Sequence, residues 1–329
     1  MLITFKNHKQ LLINKMISII FYNALTYYLP KCLMLFLVKT TIMKKILIPI
    51  DFSVCADNAI HYAIQLAKVA KADIHICHAI VPIESNMMYG LSISAHSDDQ
   101  AFAAKTKQYL KTYAEKIIRE ENLNNNNSPT LSFSCADGTV KEVINKIIDQ
   151  YQIDLIIMGL SGAGEIKRFM MGSNSRDMIE QARIPILLIP RKAHFNTIKK
   201  IAFASNLDID DINSIQNIAR LFCRFEPEIL LTHINGLPSD IHNPNSAANL
   251  FLKCVTGKIN YSKIYYRHIQ QKHINDGLMW LVEKGQIEIL AMIHRHKGIF
   301  AEFAFGSHTQ QMAKSITLPL LVLPEEIEN

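Results

Sequence analysis

The residues with the clearest chemical potential are three glycines and a serine placed around a short apolar run. The run Asp154 to Met158 reads as a buried strand that ends at Gly159. Gly162 follows, and Gly172-Ser173 comes after nine more residues. A helix-length segment then runs from Ser173 to Arg183, and Pro185 opens a second apolar strand, Ile186 to Ile189. A strand, a glycine loop and a helix whose first turn faces that loop together bind anions. The first N–H groups of a helix have no partner within it, and the helix dipole favours negative charge there. Glycines let the backbone curl and approach a phosphate without a Cβ in the way. Ser173 can cap the helix or offer its hydroxyl to a phosphate oxygen.

Two common glycine motifs fail here. A P-loop needs G-x-x-x-x-G-K-[ST], and after Gly159 and Gly164 the chain places Glu165 and Ile166. The dinucleotide pattern G-x-G-x-x-G begins at Gly162-Ala163-Gly164 and breaks at Lys167. What fits along its whole length is G-x2-G-x9-G-S, and this segment resembles the ATP-binding signature of the universal stress protein family. The resemblance implies that Gly159, Gly162, Gly172 and Ser173 hold phosphates, with Asn174 adding a first-turn amide and Met158 just ahead of the cradle. It implies that Asp51 is the acidic residue near the adenosine end, with Pro49 and Ala79 beside it on the first two strands. It further implies ATP or a related adenine nucleotide with Mg²⁺. Pairing of domains is also implied, within one chain or in a homodimer, as is an unidentified regulatory protein partner.

The elements that must position these residues alternate. Ile46–Ile50 reads as a strand, residues 54–70 as a helix with apolar positions at helical spacing, and Ile74–Ala79 as a second strand. Residues 81–98 read as a loop and 100–120 as a long amphipathic helix. Residues 123–129, with four consecutive asparagines, read as a polar turn. Leu131–Cys135 reads as a third strand and Val140–Tyr151 as a helix. Such alternation predicts a parallel α/β sheet with helices on both faces. In that architecture ligands sit beyond the carboxyl ends of the strands, where Asp51, Ala79 and Gly159 fall.

The pattern is then written again. Gly172-Ser173, Pro185, Pro190 and PILLIP recur 134 residues later as Gly306-Ser307, Pro319, Pro324 and PLLVLP, while Lys44-Lys45-Ile46 recurs 155 later as Lys199-Lys200-Ile201. The expectation is two tandem copies of an open, mostly parallel, Rossmann-like five-stranded sheet: residues 43–192 with the motif intact and 198–326 with it degenerate. In the second copy Ile293 and His296 replace the first two glycines, and Asn206 replaces Asp51. A β-branched residue at the first position would fill space that the phosphate contact needs. The second copy is therefore expected to keep the fold, lose the nucleotide and serve packing or partner contact. His294, Arg295, His296 and Lys297 read as a solvated basic loop.

Hydrophobic residues make up 49% of the 329 and charged residues 19%, ample for ordinary globular cores. The net charge of +6 looks like a nucleic-acid signature until it is located: residues 1–42 carry five lysines and no acid. The remainder is close to neutral, so a nucleic-acid partner is not expected. That leading segment reads as an upstream extension, with Met43 as the natural start of the first domain. Its apolar stretch between Lys15 and Lys31 is short for a spanning helix. Six scattered cysteines, none in a C-x-x-C pair, fit a reducing compartment and a cytoplasmic location. His75 and His78 have no third partner for a metal. No general base stands in the motif, so any ATP hydrolysis would be slow. The competing readings are an interaction module that binds no nucleotide, and a slow ATPase.

Overall fold

Short apolar runs without alternation mark strands buried on both faces, and these become the centre of one sheet. The computed structural model describes residues 42–80, 96–160, 178–180, 182–235, 244–295 and 317–325. The front half contains β1 (Lys45–Pro49), α1 (Val54–Ala70), β2 (Asp73–Ile80), α2 (His96–Glu120), β3 (Leu131–Asp137), α3 (Val140–Tyr151), β4 (Leu155–Leu160) and β5 (Ile186–Pro190). The back half contains β6 (Lys200–Ala204), α4 (Asp211–Leu221), β7 (Glu228–Asn235), α5 (Pro244–Lys258), β8 (Ile264–Gln270), α6 (Ile274–Lys284), β9 (Ile289–His294) and β10 (Leu320–Pro324). The fold is α/β with a mostly parallel sheet. The leading residues 1–41 lie outside the described residues.

The strand order is β3-β2-β1-β4-β5-β10-β9-β6-β7-β8, a single ten-stranded sheet. Each half is parallel and reverses its winding direction between β1 and β4, or between β6 and β9. The halves meet through β5 and β10, the one antiparallel pair among the described strands. Leu187 faces Leu321 across this seam, with Leu188 opposite Leu320 and Ile186 opposite Val322. These strands are the repeated segments PILLIP and PLLVLP, so the chain pairs a segment with its own copy. That is the geometry of an isologous two-fold contact, built inside one polypeptide.

One face of the sheet carries α1, with Ile46, Ile48 and Ile76 packed against Ile60 and Ile64; the other carries α3, with Leu47 and Ile156 against Val143 and Ile147. The helix ends are well specified. Ser53 caps α1, and at α3 the Thr139 hydroxyl accepts from the Glu142 N–H while the Glu142 carboxylate accepts from the Thr139 N–H. Gly138 enters that cap with φ +134, a conformation suited to glycine. The linker between the halves is held too. The Asn58 side chain donates to the carbonyls of Pro190 and Ala193, and Phe195 packs edge-on against Tyr62 and Phe225. Among the described residues no helix is long and apolar enough to cross a membrane.

Several boundaries differ from the sequence reading: β1 stops at Pro49, β2 runs on to Ile80, and α2 begins at His96, inside the expected loop. Gly159 does not end its strand: β4 continues to Leu160, with Gly159 opposite Ile189. Strand β3 continues to Asp137 because Ala136 and Asp137 still find partners in Ala79 and Ile80.

Candidate functional site

The carboxyl ends of β1 and β2 form the floor of a cavity of about 140 Å³. Pro49, Ile50 and Asp51 supply one wall, Cys77, His78 and Ala79 the second, and Val140, Val143 and Ile144 of α3 the third. Three of the residues named from sequence, Pro49, Asp51 and Ala79, thus share one cavity. The size is below the ~300–1,000 Å³ of complete small-molecule sites. It suits one flat part of a larger ligand whose remainder lies outside.

Local hydrogen bonding fixes the rim. The Ile50 N–H donates to the Cys77 carbonyl at 2.9 Å, and the Ile50 carbonyl accepts from His78 Nδ1 at 2.7 Å. Asp51 Oδ1 accepts from the Ser53 N–H at 3.0 Å, and Ser53 Oγ accepts from the Ala56 N–H at 3.2 Å. Asp51 therefore shapes the turn into α1, but it stays exposed and lines the cavity. Phe52 between them sits at φ 59, and its ring packs on His78, Tyr109 and Tyr113. The Tyr113 hydroxyl donates to the Asp57 carboxylate. Burial, and then this bond, hold that phenol above its ordinary value. Burial, with Cys135 nearby, pushes the Cys77 thiol up to about 12, so it stays a neutral wall.

The other residues named from sequence are placed differently. Met158 is buried in the core beneath the cavity, among Leu47, Cys77, Val143 and Ile144, and does not line it. Gly159 is filled from an unexpected side. A Cβ there would lie 2.4 Å from the Cys55 carbonyl oxygen and 2.9 Å from the Ala56 nitrogen. Its missing side chain is used by the first turn of α1, which rests on β4 at this point. Gly162, Gly172, Ser173 and Asn174 lie outside the described residues. His75 is no ligand: Ser132 Oγ donates to the Ile74 carbonyl, which leaves it to accept from Nδ1, while Nε2 accepts from Ser134. Among the described residues no group of three or more His, Cys, Asp or Glu could hold a metal.

The back half fills the equivalent space. Ile293, the counterpart of Gly159, is 7% exposed and joins the core with Ile212 and Ile215. Helix α4 begins at Asp211, the counterpart of Ala56, whereas α1 begins two residues earlier at Val54. The α-helical turn that rests on Gly159 in front is replaced behind Ile293 by a tighter turn, in which the Asp211 N–H donates to the Asp208 carbonyl and the Ile212 N–H to the Ile209 carbonyl. Arg295 enters here and corrects the solvated-loop expectation for that residue. It binds Asp211 at 2.7 Å, Asp208 at 3.3 Å and Glu325 at 3.3 Å. Asp211 is fully buried and also accepts from Ser205. Burial raises its carboxyl above the ordinary value, against the pull of those two hydrogen bonds. With three carboxylates around it, Arg295 does not invite an anion. His296 and Lys297 lie outside the described residues. Sequence reasoning missed His78, Phe52 and Arg295. The available signal was the 155-residue offset, which maps His78 onto His233.

Comparison with known proteins fits this architecture. Residues 43–190 match the model of the universal stress protein family. A universal stress protein of Methanocaldococcus jannaschii is 26% identical over 162 residues, 45% of this chain and 96% of that protein. A second from the same organism is 24% identical over 155 residues, 45% of this chain and 82% of that protein. A universal stress protein from Archaeoglobus fulgidus, of known crystal structure, superposes with a TM-score of 0.62 over 86% of this chain and 99% of its own, at 16% identity. That last likeness is one of fold, and it extends across both halves. Residues 43–190 are thus a domain that matches the universal stress protein family.

Proposed function

We propose that the front half, residues 43–192, binds an adenine nucleotide, ATP with Mg²⁺, and that the back half, residues 198–326, serves packing and partner contact in a cytoplasmic stress-response regulator. The observation that carries this reading is the cavity shared by Pro49, Asp51 and Ala79 at the carboxyl ends of β1 and β2. Its apolar walls suit a planar base, and the Asp51 carboxylate at the mouth can accept from sugar hydroxyls or an exocyclic amino group. The phosphates would extend past β4 toward Gly162, Gly172, Ser173 and Asn174. Mg²⁺ would ride chiefly on phosphate oxygens and water, the usual arrangement for this ion.

The reading is of a sensor. The glycine motif carries no general base to activate an attacking water. Binding would act through linkage, stabilising the bound state by about 2.7 kcal/mol at a hundredfold excess over Kd. Calorimetry on the full chain with Mg-ATP tests this. We expect one site per chain, lost in Gly162→Val and weakened in Asp51→Ala. A wild-type chain that takes up no ATP, or variants that bind as tightly as wild type, would sink the proposal. Rapid phosphate release would replace the sensor with an ATPase.

A further inference from the structure

The turn that carries Asp51 is built the same way in both halves, at one constant offset of 155 residues. Ile50 corresponds to Ser205, Phe52 to Leu207, Cys77 to Thr232 and His78 to His233. In front, the Ile50 N–H donates to Cys77 and the Ile50 carbonyl accepts from His78 Nδ1 at 2.7 Å. Behind, the Ser205 N–H donates to Thr232 and the Ser205 carbonyl accepts from His233 Nδ1 at 3.0 Å. The residue leaving the first strand of each half is thus gripped on both its polar groups by two consecutive residues of the next strand. Two positions further on, both halves enter the left-handed region with a bulky side chain, Phe52 at φ 59 and Leu207 at φ 65. Bulky residues avoid that region unless the surroundings hold them in it.

We propose that His78 is a positioning residue for the nucleotide site, a clasp that holds the Ile50–Ser53 turn in its left-handed course and so keeps Asp51 at the cavity mouth. A carbonyl only accepts, so Nδ1 carries the proton and donates. The His78 ring also packs on Phe52, 4.7 Å between centroids, so one side chain steadies both the strand end and the strained residue. Without the clasp Phe52 relaxes toward ordinary backbone angles, and Asp51 leaves the rim. His233 makes the same bond in a half whose crevice is filled by Ile293 and Arg295, which supplies an internal control. The affinity part of this inference rests on the nucleotide reading above, whereas the clasp itself does not.

The test uses the full chain with four substitutions: His78→Leu, His78→Asn, His78→Gln and His233→Leu. Asparagine places an amide N–H near the position of Nδ1, whereas the amide of glutamine lies one bond too far along. We expect Mg-ATP affinity to fall at least tenfold in His78→Leu and His78→Gln. It should return to within about threefold of wild type in His78→Asn and stay unchanged in His233→Leu. Amide hydrogen exchange provides a second readout. The Ser53 and Ala56 amides, bonded to Asp51 and Ser53 side chains, should lose protection in His78→Leu and His78→Gln while β1 amides keep theirs. Equal loss of affinity in His233→Leu, or failure of asparagine to rescue, would reduce His78 to a general contributor to stability. Unchanged exchange at Ser53 and Ala56 overturns the clasp even if the wild-type chain binds no nucleotide. Altered exchange with no ATP uptake by wild type sustains the clasp and removes the nucleotide reading instead.

Discussion

Replacing Gly159 by alanine separates two explanations of that glycine by the sign of a stability change. Gly159 lies in β4 outside the left-handed region, so its backbone tolerates any residue. On that ground alone Gly159→Ala should stabilise by about 0.4–1 kcal/mol, because alanine has less unfolded-state freedom to lose. The packing argues the other way. The new Cβ would stand 2.4 Å from the Cys55 carbonyl oxygen and 2.9 Å from the Ala56 nitrogen, both backbone atoms that cannot rotate away. Overpacking of a close-fitted core costs about 1–3 kcal/mol. Set against the entropic gain, the net is a loss of roughly 1–2 kcal/mol. The relief available is the one seen in the back half, where the helix starts two residues later. Retreat of α1 would also pull Ser53 from its cap and disturb Asp51. Urea unfolding at pH 7 gives the first number and Mg-ATP calorimetry the second. A variant more stable than wild type, with its affinity intact, would show that the close approach of α1 to β4 is not what this glycine serves.

Two further outcomes follow from buried polar groups. Burial, helped by Lys45, lowers the His75 imidazole from 6.5 to about 4, so the fold holds it neutral between two serines while the unfolded chain protonates it. Stability from this residue is complete above pH 6.5 and is lost as pH falls toward 4. About 2 kcal/mol should be gone by pH 5 and about 3 in all. Urea titrations at pH 7 and pH 5 should show that difference in wild type and lack it in His75→Leu. An equal pH response in both proteins would refute the assignment. In the back half, Arg295→Met strands the fully buried Asp211 carboxylate, and the melting transition should fall by an amount equivalent to about 3–5 kcal/mol. The exposed partners Asp208 and Glu325 should add little. Adding Asp211→Leu to Arg295→Met should recover most of the loss, and strict additivity of the two substitutions would rule out the coupling.

What the sequence disclosed depends on how local each signal is. Helix α3 is legible to the residue because Val143, Ile144 and Ile147 keep helical spacing between a capping threonine and Gln152. The tandem plan is legible because PILLIP and PLLVLP are near-copies. That they pair with each other is not, since nothing in a single strand names its partner. In the sequence the apolar run Asp154 to Met158 ends at Gly159. Only the path of α1 over β4 reveals that the strand runs on beneath a helix. Arg295 was unreadable for a related reason: its carboxylates stand 87 and 84 residues earlier and 30 later. His78 makes a single bond to a main-chain carbonyl, a contact without any side-chain signature. Its only trace is that the same histidine recurs at the repeat's own offset.

The two crevices therefore differ by more than a degenerate motif. Strand register, the grip on Ile50 or Ser205 and the left-handed residue are common to both halves, so the duplicated scaffold kept this strand-end geometry. The departure begins where helix meets strand. Glycine at 159 admits the first turn of α1, which leaves the mouth beside Asp51 free of charged neighbours on the cavity wall. Isoleucine at 293 occupies that ground, the helix starts later, and the vacated approach takes the Arg295 guanidinium with a buried aspartate to match its charge. A buried ion pair of this kind is held because removing either member strands the other. Reversal of the isoleucine alone would leave the arginine, its partner and the shortened helix in place. Among the described residues the back-half crevice is thus occupied by three mutually dependent features, whereas in front Asp51 stays exposed beside its cavity.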